Sequence, residues 1–425
     1  MKTLSSQCIP FVLACFLLGG QIAGAEESGS AGKGNRFDWP CWMGPDRNGI
    51  SRETALNFQW DKAGPIKLWQ VEVGTGFSCI AVANNRLYTM GNKDDQDTLF
   101  CLNAETGDEI WKHTYASPLN PNYYMGGPGS SPTVDGKWVY CLSKTGHLFC
   151  LDAATGKGKW KKQIHEEFGY KVPGWGFSGS PYIDGDTLLL NAGSAGLALN
   201  KNDGALVWKS PPGVAGYATP VLFPYRGEKT AALFTEKTLE IVDFTTGKNL
   251  ISHEWATSYG VNAADPIFRD EKIFISSGYG KGCTLVDISS GKGVEIYKSK
   301  AMKNIFSSCL YLDGYLYGIS GQSGNKAPLK CMHFETGKVQ WTEKKFKVGS
   351  LISAGGKLIV LDGEGDLVIV DPNPKEYKEE ARAKILEGTC WTMPVLANSR
   401  LFARTGEGAL VCVDLGQDRK AAAAK

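Results

Sequence analysis

The sequence predicts an all-β fold: an eight-bladed β-propeller with tryptophan-docking-type repeats, closed by its own N-terminal strand. Three observations predict it. A hydrophobic strand running into an acidic or stand-in residue, then a turn, recurs eight times. The spacing stays near one value, and the two chain ends are out of phase by one strand. Three copies align without gaps, LFCLNAETGDEIW (Leu99 to Trp111), LFCLDAATGKGKW (Leu148 to Trp160) and LKCMHFETGKVQW (Leu329 to Trp341). Looser copies are GLALNKNDGALVW ending at Trp208, LEIVDFTTGK leading towards Trp255, CTLVDISSGK leading towards Tyr297, LVIVDPNPKEY ending at Tyr377, and LVCVDLGQ. The acidic column falls at Asn103, Asp152, Asn200, Asp243, Asp287, His333, Asp371 and Asp414, with intervals of 49, 48, 43, 44, 46, 38 and 43 residues. A period in the forties means one supersecondary unit repeated.

In chain order, Met1 to Ala25 reads as a secretory signal: Lys2, an apolar run from Ile9 to Leu18, and small residues at Ala23-Gly24-Ala25. The run is too short to span a membrane as a stable helix. Residues 26–64 form an N-terminal arm, 65–416 the propeller, and 417–425 a disordered tail. The segment Ile66 to Val71, with Trp69, reads as an outer strand that no hairpin precedes, whereas the eighth unit stops after Leu415 without one. Pairing the first strand with the last sheet leaves no long open edge. Within a unit, runs such as Trp138 to Ser143 are separated by pairs such as Asp135-Gly136 and Thr155-Gly156, which suit hairpin turns and give a four-stranded meander. An Asp or Asn accepts backbone N–H bonds from the turn it opens, and Gly supplies positive φ. Trp69, Trp111, Trp160, Trp208, Trp255 and Trp341 are expected to dock each outer strand on its neighbour.

Lys and Arg number 46 against 44 Asp and Glu, a net charge of +2, so nothing speaks for nucleic acid. Of twelve cysteines, Cys101, Cys150, Cys331 and Cys412 share one strand column and read as small buried apolar groups. Cys141 and Cys150 face each other if Thr145-Gly146 is a two-residue turn, and a bond between them stays open. No catalytic constellation stands out. Gly176 to Ser180 lacks the closing glycine of a nucleophile elbow, and the five histidines lie scattered without metal-ligand spacing. Asp94-Asp95-Gln96-Asp97 reads as a solvated loop rather than a calcium cage.

A propeller places the starts of its innermost strands around the channel mouth. The ligand-binding candidates there are Phe77, Tyr124, Trp175, Asn262, Asp265, Asn304 and Trp391. Aromatics with a few amides suit a flat ligand or an extended peptide.

The repeated strand, Asp-Ala-x-Thr-Gly-Lys turn and Trp resemble the repeats of the pyrroloquinoline-quinone (PQQ) propeller superfamily, which includes quinoprotein alcohol dehydrogenases and the BamB-type assembly lipoproteins. Asp38-Trp39-Pro40-Cys41-Trp42-Met43-Gly44-Pro45-Asp46-Arg47-Asn48-Gly49 is similar to the arm of exported bacterial PQQ-binding-like proteins. The resemblance implies the fold and an exported, periplasmic or secreted location; it does not choose between enzyme and scaffold. The dehydrogenases of the family share adjacent cysteines and converging carboxylates for calcium, and this chain has no Cys-Cys pair. The expectation is therefore a binding or assembly scaffold with a protein or polysaccharide partner and no catalytic or metal residues. The alternatives are a PQQ-dependent oxidoreductase with calcium, and polysaccharide or peptide binding at the mouth.

Overall fold

The acidic column acts as the sequence predicts. Asp152 Oδ1 accepts the N–H groups of Ala154 and Thr155 at 3.0 and 2.9 Å and the Thr155 hydroxyl at 2.9 Å. Gly156 closes the turn at φ +73° with its N–H on Asp152 O at 2.8 Å. These bonds, that from the Thr155 hydroxyl foremost, hold the Asp152 carboxyl below its ordinary pKa, and the Thr246 hydroxyl does the same for Asp243. The computed structural model describes residues 37–60, 63–321 and 326–417; the signal, most of the tail and the first part of the arm lie outside them.

Eight four-stranded antiparallel sheets form the eight blades, which span residues 81–116, 133–163, 182–209, 221–254, 267–299, 310–343, 350–384 and 395–414. Blade 8 takes its outer strand from Lys67–Glu72: Trp69 pairs with Cys412 and Gln70 with Val411. The expected closure is thus present. Among the described residues one short helix, Ile164–Phe168, interrupts the all-β pattern.

Arg404 knits this seam. Its guanidinium is fully buried and donates to Met90 O at 2.6 Å, Thr89 Oγ1 at 2.9 Å, Gly74 O at 2.9 Å and Ser78 O at 3.3 Å. Burial pushes its pKa down to about 10, so it remains charged at neutral pH.

Docking between blades has a fixed geometry. Trp69, Trp111, Trp160 and Trp208 each donate their indole N–H to the carbonyl one residue past the next blade's acidic column: Ala104, Ala153, Lys201 and Phe244, at 3.3, 3.1, 2.9 and 2.8 Å. Trp341 bonds Asn373 O at 2.8 Å, two residues past Asp371 because Pro372 intervenes. The turn glycine lies on the same ring. A Cβ on Gly156 would stand 2.6 Å from Trp111, and one on Gly247 would stand 2.4 Å from Trp208. The glycine thus serves the inter-blade contact as well as the turn.

Trp255 departs from expectation. The docking residue is the one opposite the strand position two before the acidic column, as Cys150 opposes Trp160. In blade 4 that partner is Ile251, opposite Ile241. Trp255 lies four residues beyond, wholly buried, with its N–H on Ser277 Oγ at 3.0 Å. The carbonyl it would have used, Ile288 O, accepts the Tyr225 hydroxyl instead. Blade 7 carries Ala381 in the same position.

No disulfide joins any of the ten described cysteines, all of which are buried. Cys141 opposes Phe149 and Cys150 opposes Tyr140, because the connection is the longer Ser143–His147 turn. The two thiols therefore point to opposite faces of the sheet.

The arm runs across the inner strands. Trp39 exchanges both backbone bonds with Val82 of blade 1, Pro40 O accepts Val134 N of blade 2, and Ser51 N donates to Ser353 O of blade 7 at 2.7 Å. Trp39 is buried to 1 % exposure, as core packing requires.

Candidate functional site

Six inner strands begin with a chain of side chains that hold one blade to the next. The Cys79 N–H donates to Ser131 Oγ, Ser131 N–H to Ser180 Oγ, and Ser180 N–H to Thr219 Oγ1, at 3.1, 3.1 and 3.0 Å. Thr219 N–H donates to Asp265 Oδ1 and Asp265 N–H to Ser308 Oγ, both at 2.8 Å. Small hydroxyl residues converge here because the backbone N–H of each strand start needs an acceptor from its neighbour. Asp265 takes the place of a hydroxyl.

Above this chain lies a cavity of about 230 Å³ lined by Phe77, Tyr124, Trp175, Asp265 and Trp391 among the candidates, with Trp42, Tyr217, Tyr279 and Phe306 added. Trp391 stacks with both Phe77 and Phe306, with centroids 5.1 and 4.6 Å away. Trp175 meets Tyr217 edge-on at 6.0 Å, and its indole N–H donates to Asn122 O at 2.9 Å. Tyr123 stands fully exposed at the rim, at a left-handed φ of 62°. The wall is apolar and aromatic, with hydroxyls below it.

Asn262 and Asn304 are not part of it. Asn262 is buried: its amide donates to Thr235 O, Glu236 O and Trp255 O, and its carbonyl accepts the Ser277 hydroxyl. Asn304 donates to Ile319 O and accepts the Cys309 thiol. Both amides are consumed inside the wall.

Two residues missed in the sequence support the rim. Buried Lys144 donates to Leu119 O at 2.6 Å and Asn120 O at 3.4 Å, tethering the loop that carries Tyr123 and Tyr124. Asp97, expected in a solvated loop, is fully buried and accepts the Asn92 amide at 2.7 Å. Burial raises its pKa and lowers that of Lys144. The only sequence signal was an Asp spaced for the inward face of a strand.

Asp265 is the one carboxylate lining the cavity. Its Oδ2 accepts the Trp42 indole N–H at 2.5 Å and its Oδ1 accepts Thr219 N–H. Part of it faces the cavity, but protein surrounds it, and this burial pushes its pKa from 3.8 up to about 6. Because the folded value is raised, its contribution to stability is fully present below pH 3.8 and is lost as pH rises through 6. The Trp42 indole N–H resonance is expected to titrate with a midpoint near 6 and to be flat across that range in Asp265→Asn. A wild-type titration near 4 would show that the carboxyl is well solvated.

Calcium beside a quinone needs six to eight oxygen ligands. The cavity offers one carboxylate, already bonded to an indole and a backbone N–H. Among the described residues no three His, Cys, Asp or Glu side chains are grouped to hold a metal. Trp391 is already stacked with two phenylalanine rings. The residues present do not fit a calcium–quinone pair.

The family model described as outer membrane protein assembly factor BamB matches residues 60–127 and 121–343. BamB from Moraxella catarrhalis superposes with a TM-score of 0.60 at 16 % identity, over 83 % of this chain and 98 % of that one. Quinohemoprotein alcohol dehydrogenase from Comamonas testosteroni superposes with 0.66 at 13 % identity, over 89 % and 80 %. A europium-containing methanol dehydrogenase gives 0.67 at 13 % identity, over 88 % and 90 %. Identities this low establish the fold alone. No curated protein matches the chain in sequence.

Proposed function

The chain belongs to the PQQ-repeat propeller family whose model is described as outer membrane protein assembly factor BamB, and from that premise we propose that it is an exported scaffold binding a protein partner at its aromatic mouth. The observation that carries the reading is the composition of the cavity: Trp175, Tyr124, Phe306 and Trp391 around a floor of hydroxyls whose single carboxylate is already engaged. Aromatic side chains supply large contact area at small entropic cost, and they dominate protein recognition sites. Exposed Tyr123 and Tyr259 extend the same apolar surface onto the rim. The signal-like first 25 residues and the assembly role in the family's description support export.

Selection of displayed random peptides against the mature protein is expected to enrich sequences carrying an aromatic or proline anchor. Their affinity should fall at least about tenfold, or 1.4 kcal/mol, in Trp175→Ala and in Trp391→Ala. Equal binding to both variants would remove the mouth from the interaction, and saturable binding on a glycan array would replace the protein partner with a polysaccharide. Incubation with PQQ and calcium followed by desalting should leave no quinone absorbance. Stoichiometric retention would move the reading to the dehydrogenases.

A further inference from the structure

A second cavity, of about 220 Å³, lies between the arm and the inner strands of blades 3 to 6 and is lined by Arg47, Arg269, Tyr182, Tyr311, Ser308 and Asp265 with their neighbours. It shares Trp42, Thr219 and Asp265 with the mouth cavity, but its character differs, because two arginines line it. Arg47 lies 3.7 Å above the Tyr182 ring, and Arg269 lies 4.7 Å from the Tyr311 ring centroid.

Neither arginine has a carboxylate partner among the described residues, whereas Arg52, Arg382 and Arg400 each have one. One terminal nitrogen of Arg47, Nη1, is buried without a hydrogen-bond partner. Arg269 donates only to the carbonyl of its own neighbour Phe268, at 2.7 Å. Of the two acids of the cavity, Asp46 is gripped by Arg52 through both oxygens, whereas Asp265 accepts the Trp42 indole and Thr219 N–H and lies within the field of Arg47. With Asp46 held by Arg52, two arginines face the single carboxylate of Asp265, so the lining carries positive charge in excess.

The placement of Arg47 is enforced. It sits at φ 51°, in the left-handed region that a long side chain avoids, within a turn closed by its own N–H on Gly44 O and by Gly49 N–H on Met43 O. Arg47 thus combines a left-handed backbone with a buried N–H that no group among the described residues accepts, and Arg269 lines the same cavity.

We propose that this cavity binds the oxyanion group of a small ligand, a carboxylate or a phosphate, between Arg47 and Arg269. A guanidinium fork matches the paired oxygens of either group, and the tyrosine rings hold each fork in place from one face. The Ser308 side chain stands in the same wall. The site does not rest on a protein partner at the mouth, although the two cavities share Trp42, Thr219 and Asp265.

Calorimetric titration of the full mature protein with inorganic phosphate, and separately with succinate, at low ionic strength distinguishes the two chemistries. Saturable binding of at least one is expected, with affinity reduced tenfold or more in Arg47→Gln and in Arg269→Gln and unchanged in Arg382→Gln on blade 7. The bound anion should also shift the Trp42 indole N–H resonance, which belongs to the cavity wall. If Arg47→Gln does not fold, Arg269→Gln carries the same test. No saturable binding of either anion, or binding that survives both substitutions, overturns the proposal.

Discussion

Replacing Gly247 by alanine should destabilise the propeller nearly as much as removing the tryptophan it faces. The new Cβ would lie 2.4 Å from Trp208, at a backbone φ of +71°. The left-handed conformation costs a non-glycine residue about 1–2 kcal/mol. The larger effect is displacement of the indole, which is 8 % exposed and gives its N–H to Phe244 O. Deleting a buried Trp side chain costs about 3–5 kcal/mol, so Gly247→Ala is expected to lose about 4 kcal/mol. In the Trp208→Ala background the same glycine substitution should cost only the backbone part, about 1 kcal/mol, giving a strongly non-additive cycle. Urea denaturation midpoints at unchanged slope measure it. Additive effects would mean that the ring and the turn glycine do not act as one contact.

Arg404→Met should be comparably severe and act at a different place. Methionine fills much of the volume but leaves the carbonyls of Gly74 and Met90 without their donor, and takes one of two donors from Ser78 O, which keeps the Thr89 hydroxyl. Each orphaned buried acceptor costs about 1–3 kcal/mol, so a loss of about 4 kcal/mol or more is expected even after local relaxation. That is a large part of the 5–15 kcal/mol that separates folded from unfolded domains. The damage falls on the seam between blades 8 and 1. Limited proteolysis of Arg404→Met should therefore release the Lys67–Glu72 strand before it cuts other blades, while Gly247→Ala should not. Uniform cleavage in both variants would show that Arg404 has no special part in closure.

The repeat made the blades legible because each Asp or Asn turn is a local event, settled by hydrogen bonds within four residues. The same locality explains where the reading went astray. Trp255 shares the chemistry of the docking residues but lies four positions late, and only pairing with Ile241 shows that Ile251 holds the place. Cys141 and Cys150 were one register step from facing each other, and the turn length settled that. Asn262 and Asn304 occupy mouth positions in sequence, but their amides are spent on neighbouring carbonyls.

The sequence alone determined the number of blades, the docking of most outer strands, and the pairing of the first strand with the last sheet. These follow from a period, from turn chemistry and from chain ends that complement each other, all carried by contacts of fixed spacing. Only the tertiary structure decided what converges on the axis: that Asp265 substitutes for a hydroxyl in the chain of strand-start bonds, that Arg404 binds the seam, and that Arg47 and Arg269 share one cavity. Those groups come from segments dozens to hundreds of residues apart, and no local rule of spacing encodes which side chains a closed ring brings together.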